Sequence, residues 1–343
     1  MSFKKVIISR FGGPEVLQLQ NIKKLPEPGP GEVRIKVLHT TANFTDTMIR
    51  RGIFPEVKKK PPFAPGYDMV GVVDKNGPKA TKFMEGKLVA DLTVTGAYSE
   101  YLCIPEYELT EVPGSLDPAE TAALILSYTT AYQMLHRYAK VKKGQRILVH
   151  GAAGAVGLAL LQLGKQYDLE IFGTASSEKH QLVRDAGATP IDYRTNDFYS
   201  MLKENPGKKF DAAFDAIGGT NFKKSFKLLK RGGILIAYGF YNAVTGKGGS
   251  IPADFVQLVG LNLLPNGRKA NFFSIGASRK KHPEWFKEDL HTLFQLLEDG
   301  KIKPVIYEKY PLEKVVDVHK MIEASNHTGK IVLNVSGITS SIK

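Results

Sequence analysis

An α/β fold, with a doubly wound parallel sheet joined to a mostly antiparallel β domain, is what this sequence predicts, on three observations. Arg146 to Gly157 reads R-I-L-V-H-G-A-A-G-A-V-G: an apolar run, then Gly151, Gly154 and Gly157, then the helical spacing of L-A-L-L-Q-L-G-K. From residue 146 onward, strand-like and helix-like stretches alternate regularly. Before residue 126, short strands are separated by Pro/Gly clusters, the pattern of an antiparallel, barrel-like domain.

Taken in chain order, V-R-I-K-V, V-G-V-V-D and Y-S-E-Y-L-C-I-P are the strands of the first domain, punctuated by P-E-P-G-P-G at Pro26 and P-P-F-A-P-G at Pro61. A helix over Asp117–Arg137 leads out of it. Strands of the parallel sheet are expected at Ile147–Val149, Glu170–Thr174, Pro190–Asp192, Ala212–Asp215, Ile234–Tyr238 and Phe272–Ile275. Helices are expected near Ala155–Gln166, Glu178–Asp185, Asp197–Glu204, Phe222–Leu229 and Asp254–Leu263, with turns at Gly187, Asn205, Gly218 and Gly232. A helix over Trp285–Glu298 and the strand-like K-I-V-L-N-V return the chain to the first domain. The expected boundaries are 1–125, 126–278 and 279–343.

Composition suits a soluble, cytoplasmic enzyme. The 343 residues suffice for two domains, and the single Cys103 excludes an internal disulfide. No run of about 18 apolar residues suggests a membrane span, and M-S-F-K-K-V-I-I-S-R reads as a first strand, not a secretory leader. The formal charge of +13 is spread over short clusters such as Lys58 to Lys60 and Arg279 to Lys281. Solvated faces and attraction of an anionic cofactor account for it. Nonspecific binding of nucleic acid or an anionic membrane surface is the rival reading.

Strand, glycine turn and helix together let backbone amides and a helix N-terminus face a pyrophosphate. The spacing here is G-x-x-G-x-x-G, with Ala153 near the position of the missing glycine in the commoner pattern. An NAD site usually carries an acid about 20 residues further on, where this chain has Ala175. Ser176, Ser177 and Lys179 follow instead and suit a 2′-phosphate, so NADPH is the expected cofactor. Glu178 lies among them and argues the other way. Ser176 serves equally as a helix cap.

The chain as a whole resembles the medium-chain dehydrogenase/reductase superfamily, and within it the zinc-independent quinone oxidoreductases. The resemblance rests on F-G-G-P-E-V-L at Phe11, P-G-P-G-E-V at Pro28, N-F-T-D at Asn43, P-G-Y-D-M-V-G-V-V at Pro65, T-A-Y at Thr130, V-H-G-A-A-G-A-V-G and the closing T-G-K-I-V-L. F-G-T-A-S-S-E-K-H and N-A-V-T-G look most like the branch of the vesicle amine transport protein-1 homologues. The resemblance implies a Rossmann domain and a GroES-like catalytic domain built from both chain ends. It also implies cofactor contacts at Thr130, Gly151, Gly154, Ala155, Val156, Gly157, Tyr193, Gly239, Phe240 and Lys330. For Lys330 a surface lysine fits the residues as well.

Zinc-dependent relatives carry metal ligands where this chain has Asn43, Tyr67 and Leu126, and these side chains cannot supply the three His, Cys or carboxylate ligands of a catalytic zinc. No metal is expected. Asn43 can donate an amide hydrogen to a carbonyl oxygen, and Tyr67 offers a phenol or simply packs at a strand start. Asp46 takes part in the chemistry or organises a turn. The sequence therefore points to an NADPH-dependent, zinc-free reductase of quinones or α,β-unsaturated carbonyls. A trans-2-enoyl thioester reductase is the alternative enzyme, and an NADPH-binding protein acting on RNA or anionic membrane surfaces is the alternative of another class. A homodimer is expected through the last sheet strand, K-A-N-F-F-S-I-G, an apolar edge that needs covering.

Overall fold

The computed structural model describes residues 1–203 and 209–336. β1 (Phe3–Ile8) and β2 (Leu17–Ile22) precede β3 (Glu32–Ala42), α1 (Phe44–Arg50), β4 (Met69–Asn76), β5 (Leu88–Asp91), β6 (Tyr101–Pro105) and β7 (Thr110–Glu111). α2 (Pro118–Tyr132) runs on into a π-helical stretch, Gln133–Tyr138. β8 (Arg146–His150), α3 (Ala155–Lys165), β9 (Glu170–Ala175), α4 (His180–Asp185), β10 (Thr189–Asp192) and α5 (Phe198–Lys203) then alternate. β11 (Phe210–Asp215), α6 (Thr220–Leu228), β12 (Leu229–Ala237), α7 (Tyr241–Val244), α8 (Ile251–Asn262) and β13 (Lys269–Phe272) continue the pattern. α9 (Ile275–Lys281), α10 (Pro283–Glu298), β14 (Ile306–Pro311), α11 (Val315–Glu323) and β15 (Lys330–Asn334) complete the described chain. The turn expected at Asn205 lies outside the described residues.

The chain divides into two units, Met1–Leu126 with the residues from Leu290 on, and Ser127–Asp289. The second crossing falls later than residue 279. Asp289 accepts hydrogen bonds from Gln133 and Arg137, and Ser278 donates to Gln133, so the start of α10 is tied to the second unit.

In the second unit six strands pair in the order β10-β9-β8-β11-β12-β13, all parallel. Ile147, Leu148, Val149, Ala213, Phe214, Leu235 and Ile236 are wholly buried, as a sheet covered on both faces requires. Strand order reverses between β8 and β11, which is where such folds bind ligands. The last strand is Lys269–Phe272, earlier than the Phe272–Ile275 expected. The Ser274 hydroxyl accepts from Ala277 N–H at 3.2 Å, and this cap turns the chain into α9.

In the first unit β3 is the spine. Its eleven residues pair with β4 along most of their length, with β6 through Glu32–Lys36 and with β15 through His39–Ala42. All pairings here are antiparallel except β14 with β15. No helix among the described residues is long and apolar enough to cross a membrane.

Candidate functional site

The dinucleotide turn of the second unit is shaped by its glycines. Gly151 sits at φ +66°, and a Cβ on Gly157 would stand 2.3 Å from the Gly151 carbonyl, so only glycine lets α3 start hard against the turn. Gly154 precedes α3 in extended conformation, which leaves the first amides of the helix, at Ala155, Val156 and Gly157, without carbonyl partners inside it. Such amides, with the helix dipole behind them, form an anion site. A buried network underpins the turn. His150 Nδ1 lies 3.1 Å from Thr174 Oγ1, its Nε2 lies 2.9 Å from Ser225 Oγ, and Ser225 donates to Asp215 at 3.2 Å. These residues lock β8, β9 and β11 together at the point of strand reversal. Phe240 follows β12 and stacks on Phe272 at 4.9 Å, while Thr130 is buried in α2.

At the C-terminal end of β9, Ser176 is buried and Ser177 and Glu178 are exposed. A 3₁₀ turn over Ser177–Lys179 precedes α4. β10 pairs with Asp192 opposite Ala175, which brings Tyr193 and Arg194 alongside the serines. Arg194 Nη1 donates to Glu178 Oε1 at 3.0 Å. Hydrogen bonds from its own backbone amide and from Ser176, together with the Arg194 charge, hold the Glu178 carboxyl below the usual range. The acid that argued against a 2′-phosphate is therefore paired with a guanidinium at the surface. Sequence reading passed over Arg194; its signal was its place directly after Tyr193, at the end of a strand neighbouring the serines.

The first unit holds a buried polar cluster where α1 begins. Asp46 and Asp68 are wholly buried, and Asn43 and Lys330 are nearly so. Thr41 donates to Asp68 through its amide at 2.9 Å and its hydroxyl at 2.7 Å. Asp46 Oδ2 accepts from the Asn43 backbone N–H and from Asn43 Nδ2, both at 3.0 Å, closing the first turn of α1. Asn43 Nδ2 also donates to the Thr41 carbonyl at 3.1 Å, and Asn43 Oδ1 accepts from Lys330. Lys330 Nζ lies 3.7 Å from Asp68. Burial, then the charge of Asp68, pushes the Asp46 carboxyl up to about 7. Burial likewise raises Asp68 against the pull of Lys330, and burial lowers Lys330 against the pull of both acids.

Three of the expected residues thus meet here: Asn43, Asp46 and Lys330. Two expectations change. Both amide hydrogens of Asn43 are committed within the cluster, so it has none to offer a substrate in this conformation. Lys330, for which a surface position fitted the residues as well as a cofactor contact, is not on the surface but is a buried partner of Asn43. Tyr67 is buried with its ring edge-on to Phe54 at 6.0 Å. Asp68 stands beside Asp46, the other acid that the resemblance places next to the metal positions of zinc relatives, and Thr41, not singled out from the sequence, bonds both Asp68 and Asn43.

Asn43, Tyr67 and Leu126 do not form a metal-ligand set, and among the described residues no three His, Cys, Asp or Glu side chains converge to hold an ion.

Comparison with known proteins matches residues 29–114 to the alcohol dehydrogenase GroES-like domain and residues 186–333 to the zinc-binding dehydrogenase family. The chain is 32% identical over 340 residues to the synaptic vesicle membrane protein VAT-1 homolog of Danio rerio, covering 97% of this chain and 70% of that one. It is 33% identical over 337 residues to human quinone oxidoreductase, covering 96% and 97%. The crystal structure of Escherichia coli quinone oxidoreductase complexed with NADPH superposes with a TM-score of 0.86 at 27% identity, covering 96% of this chain and 99% of that one.

The ligand set makes a prediction against the zinc-binding description of that domain. Elemental analysis of the purified protein is expected to find no stoichiometric zinc, and a strong chelator is expected to leave its melting temperature unchanged. One tightly held zinc per chain would contradict the reading of Asn43, Tyr67 and Leu126.

Proposed function

Since this chain belongs to the quinone oxidoreductase family of medium-chain dehydrogenases/reductases, we propose that it is an NADPH-dependent, zinc-free reductase of quinones or α,β-unsaturated carbonyls. The observation that carries the proposal is the cluster of Asn43, Asp46 and Lys330, a buried lysine and a buried acid pushed up to about 7, both bonded to a residue that replaces a metal ligand of zinc relatives.

NADPH, when bound, supplies the hydride. In the second unit the amides of Ala155 to Gly157 take the pyrophosphate, with Gly151 and Gly154 shaping the turn that presents them. Ser176, Ser177, Lys179 and Arg194 take the 2′-phosphate, with Tyr193 beside it. Thr130, Gly239 and Phe240 lie toward the nicotinamide end. In the first unit, Lys330 stabilises the negative charge that develops on the acceptor oxygen, and Asp46, titrating near neutrality, holds the proton that the product requires. Asn43 keeps Lys330 and Asp46 in register by bonding both. Tyr67 is assigned as a second donor to the acceptor oxygen.

A second copy of the chain is the proposed partner. α8 and the edge strand β13 expose Phe255, Val256 at 72%, Val259 at 60%, Leu263 at 79% and Phe272. An unpaired apolar edge of this kind is an association surface, and a two-fold axis would pair β13 with its copy.

Three outcomes are expected. NADPH absorbance should fall with a quinone and with an enone as acceptor, and Lys330→Met should lower kcat by about 10²–10³; no oxidation with either acceptor, or a marked preference for an enoyl thioester, would remove the proposed substrate class. Lys179→Ala and Arg194→Ala should each weaken NADPH binding several-fold, as expected for charged hydrogen bonds screened by solvent, and leave NADH nearly unaffected; equal losses for both cofactors would refute the 2′-phosphate assignment. Light scattering should find a dimer that Val256→Lys with Val259→Lys converts to monomer, and a monomeric parent protein would end that part.

A further inference from the structure

At the point of strand reversal in the second unit, a continuous line of buried hydrogen bonds joins the turn after β8 to the turn after β11. Gly151 N–H donates to Thr174 Oγ1 at 3.4 Å, and Ala152 N–H donates to the Thr174 carbonyl at 3.0 Å. Thr174 Oγ1 lies 3.1 Å from His150 Nδ1, and His150 Nε2 lies 2.9 Å from Ser225 Oγ on α6. Ser225 donates to Asp215 Oδ2 at 3.2 Å, and Asp215 Oδ1 accepts from the Ile217 and Gly218 amides at 2.8 and 3.3 Å. That second turn carries α7, because the Ala216 and Ile217 carbonyls accept from the Tyr241 and Asn242 amides, both at 2.9 Å. His150, Thr174, Ser225 and Asp215 are all buried, and the Phe198 ring stands edge-on to the imidazole at 4.5 Å.

The direction of each bond follows from the protons available. Ser225 has one hydroxyl proton and gives it to Asp215, so its oxygen accepts from His150 and Nε2 carries a proton. His150 Nε2 and Asp215 Oδ2 are 3.8 Å apart, too far for a direct bond, which leaves Ser225 as the relay. Burial holds the imidazole below its usual range against the pull of Asp215, so the ring keeps a single proton and Nδ1 accepts. The Thr174 hydroxyl therefore donates to Nδ1 and receives the Gly151 amide. The reverse order would need a proton on Asp215, whose other oxygen already receives two amides, and would leave the threonine proton no acceptor in this line. A hydrolytic Ser-His-Asp triad has the same residue types, but there the acid bonds the imidazole. Here it bonds the serine, and all three side chains are buried.

We propose that His150, fixed as the Nε2–H tautomer between Thr174 and Ser225, is a positioning residue for the nicotinamide cofactor, setting the Gly151 turn against the turn after β11. The inference rests on the assignment of the Gly151 to Gly157 turn to the cofactor pyrophosphate; the polarity of the line does not. His150 acts through Thr174 and the Gly151 amide, without contact with the dinucleotide. The pyrophosphate is common to NADPH and NADH, so breaking the line weakens both alike. Loss of Lys179 or Arg194, by contrast, spares NADH.

Side-chain ¹⁵N spectra of the full chain without cofactor, with His150→Gln used for assignment, are expected to show a neutral His150 imidazole protonated on Nε2. An Nδ1–H tautomer or an imidazolium would overturn the proposal. Thr174→Val keeps the side-chain shape and the carbonyl while removing the hydroxyl. In fluorescence titrations it is expected to weaken NADPH and NADH alike by about three- to tenfold, the scale of one buried hydrogen bond. Ser225→Ala should do the same, and the double variant should lose less than the product of the two, because both act through His150. His150→Leu should lose at least as much as either, and His150→Gln, whose amide can donate to Ser225, should recover part of that loss. Unchanged affinity for both cofactors in folded Thr174→Val, or a loss confined to NADPH, would overturn the proposal even if His150→Leu does not fold. Fully multiplicative losses in the double variant would overturn it as well. Binding is read without an acceptor, so failure of the reductase reading would show in the NADPH oxidation assay alone.

Discussion

The pairing of β15 with the far end of β3 is the constraint on which the chemistry of the first unit depends. Ile331 stands opposite Ala42 in that ladder, so Lys330 arrives beside Asn43, the residue that begins α1. A one-residue slip would turn Lys330 to the other face of the sheet. Its ammonium is then within reach of two buried carboxylates that burial alone would force to stay neutral. The closing strand of the described chain thus supplies the charge that makes a polar cluster tolerable near the beginning of the fold.

Burying such a set is costly. Isolated charges in a protein interior cost several kcal/mol each unless paired and hydrogen-bonded, and well-packed apolar residues often serve stability as well or better. Here almost every polar atom of the cluster has a partner: Thr41 for Asp68, Asn43 and the Gly66 amide for Asp46, Asn43 for Lys330. Asp46 nevertheless remains balanced near neutrality because two influences favouring its neutral form are met by several favouring the anion. A carboxyl balanced in this way stands well above the ordinary range of a surface carboxylate.

The second unit solves a different problem with different means. Its turn offers amides in place of charged side chains, and close contact at Gly157 holds those amides where α3 begins. Charge enters beyond the ends of β9 and β10, with Lys179 in the turn after one and Arg194 just after the other. The Arg194–Glu178 pair is exposed at 59% and 54% of its side chains, so solvent screens it and it contributes little to stability.

Local pattern determined much of this protein. The glycine spacing at Gly151 to Gly157, the buried runs of the parallel sheet and the replacement of metal ligands at Asn43, Tyr67 and Leu126 are all legible in sequence, because each depends on residues close in the chain or on a side chain's own donor set. Edge effects were less legible: the last strand ends at Phe272 because the Ser274 hydroxyl caps the next helix, a choice between two local structures that periodicity does not arbitrate. What only the tertiary structure decided are relations between residues brought together by strand pairing and helix packing. Asn43 reads as a free donor until Thr41 and Asp46 are seen to take its amide hydrogens; Lys330 is not told from a surface lysine until β15 is laid against β3. Arg194 gains meaning only beside Glu178. Hydrogen-bond commitment and burial are properties of neighbours in space, and a chain's spacing specifies those neighbours only within one element.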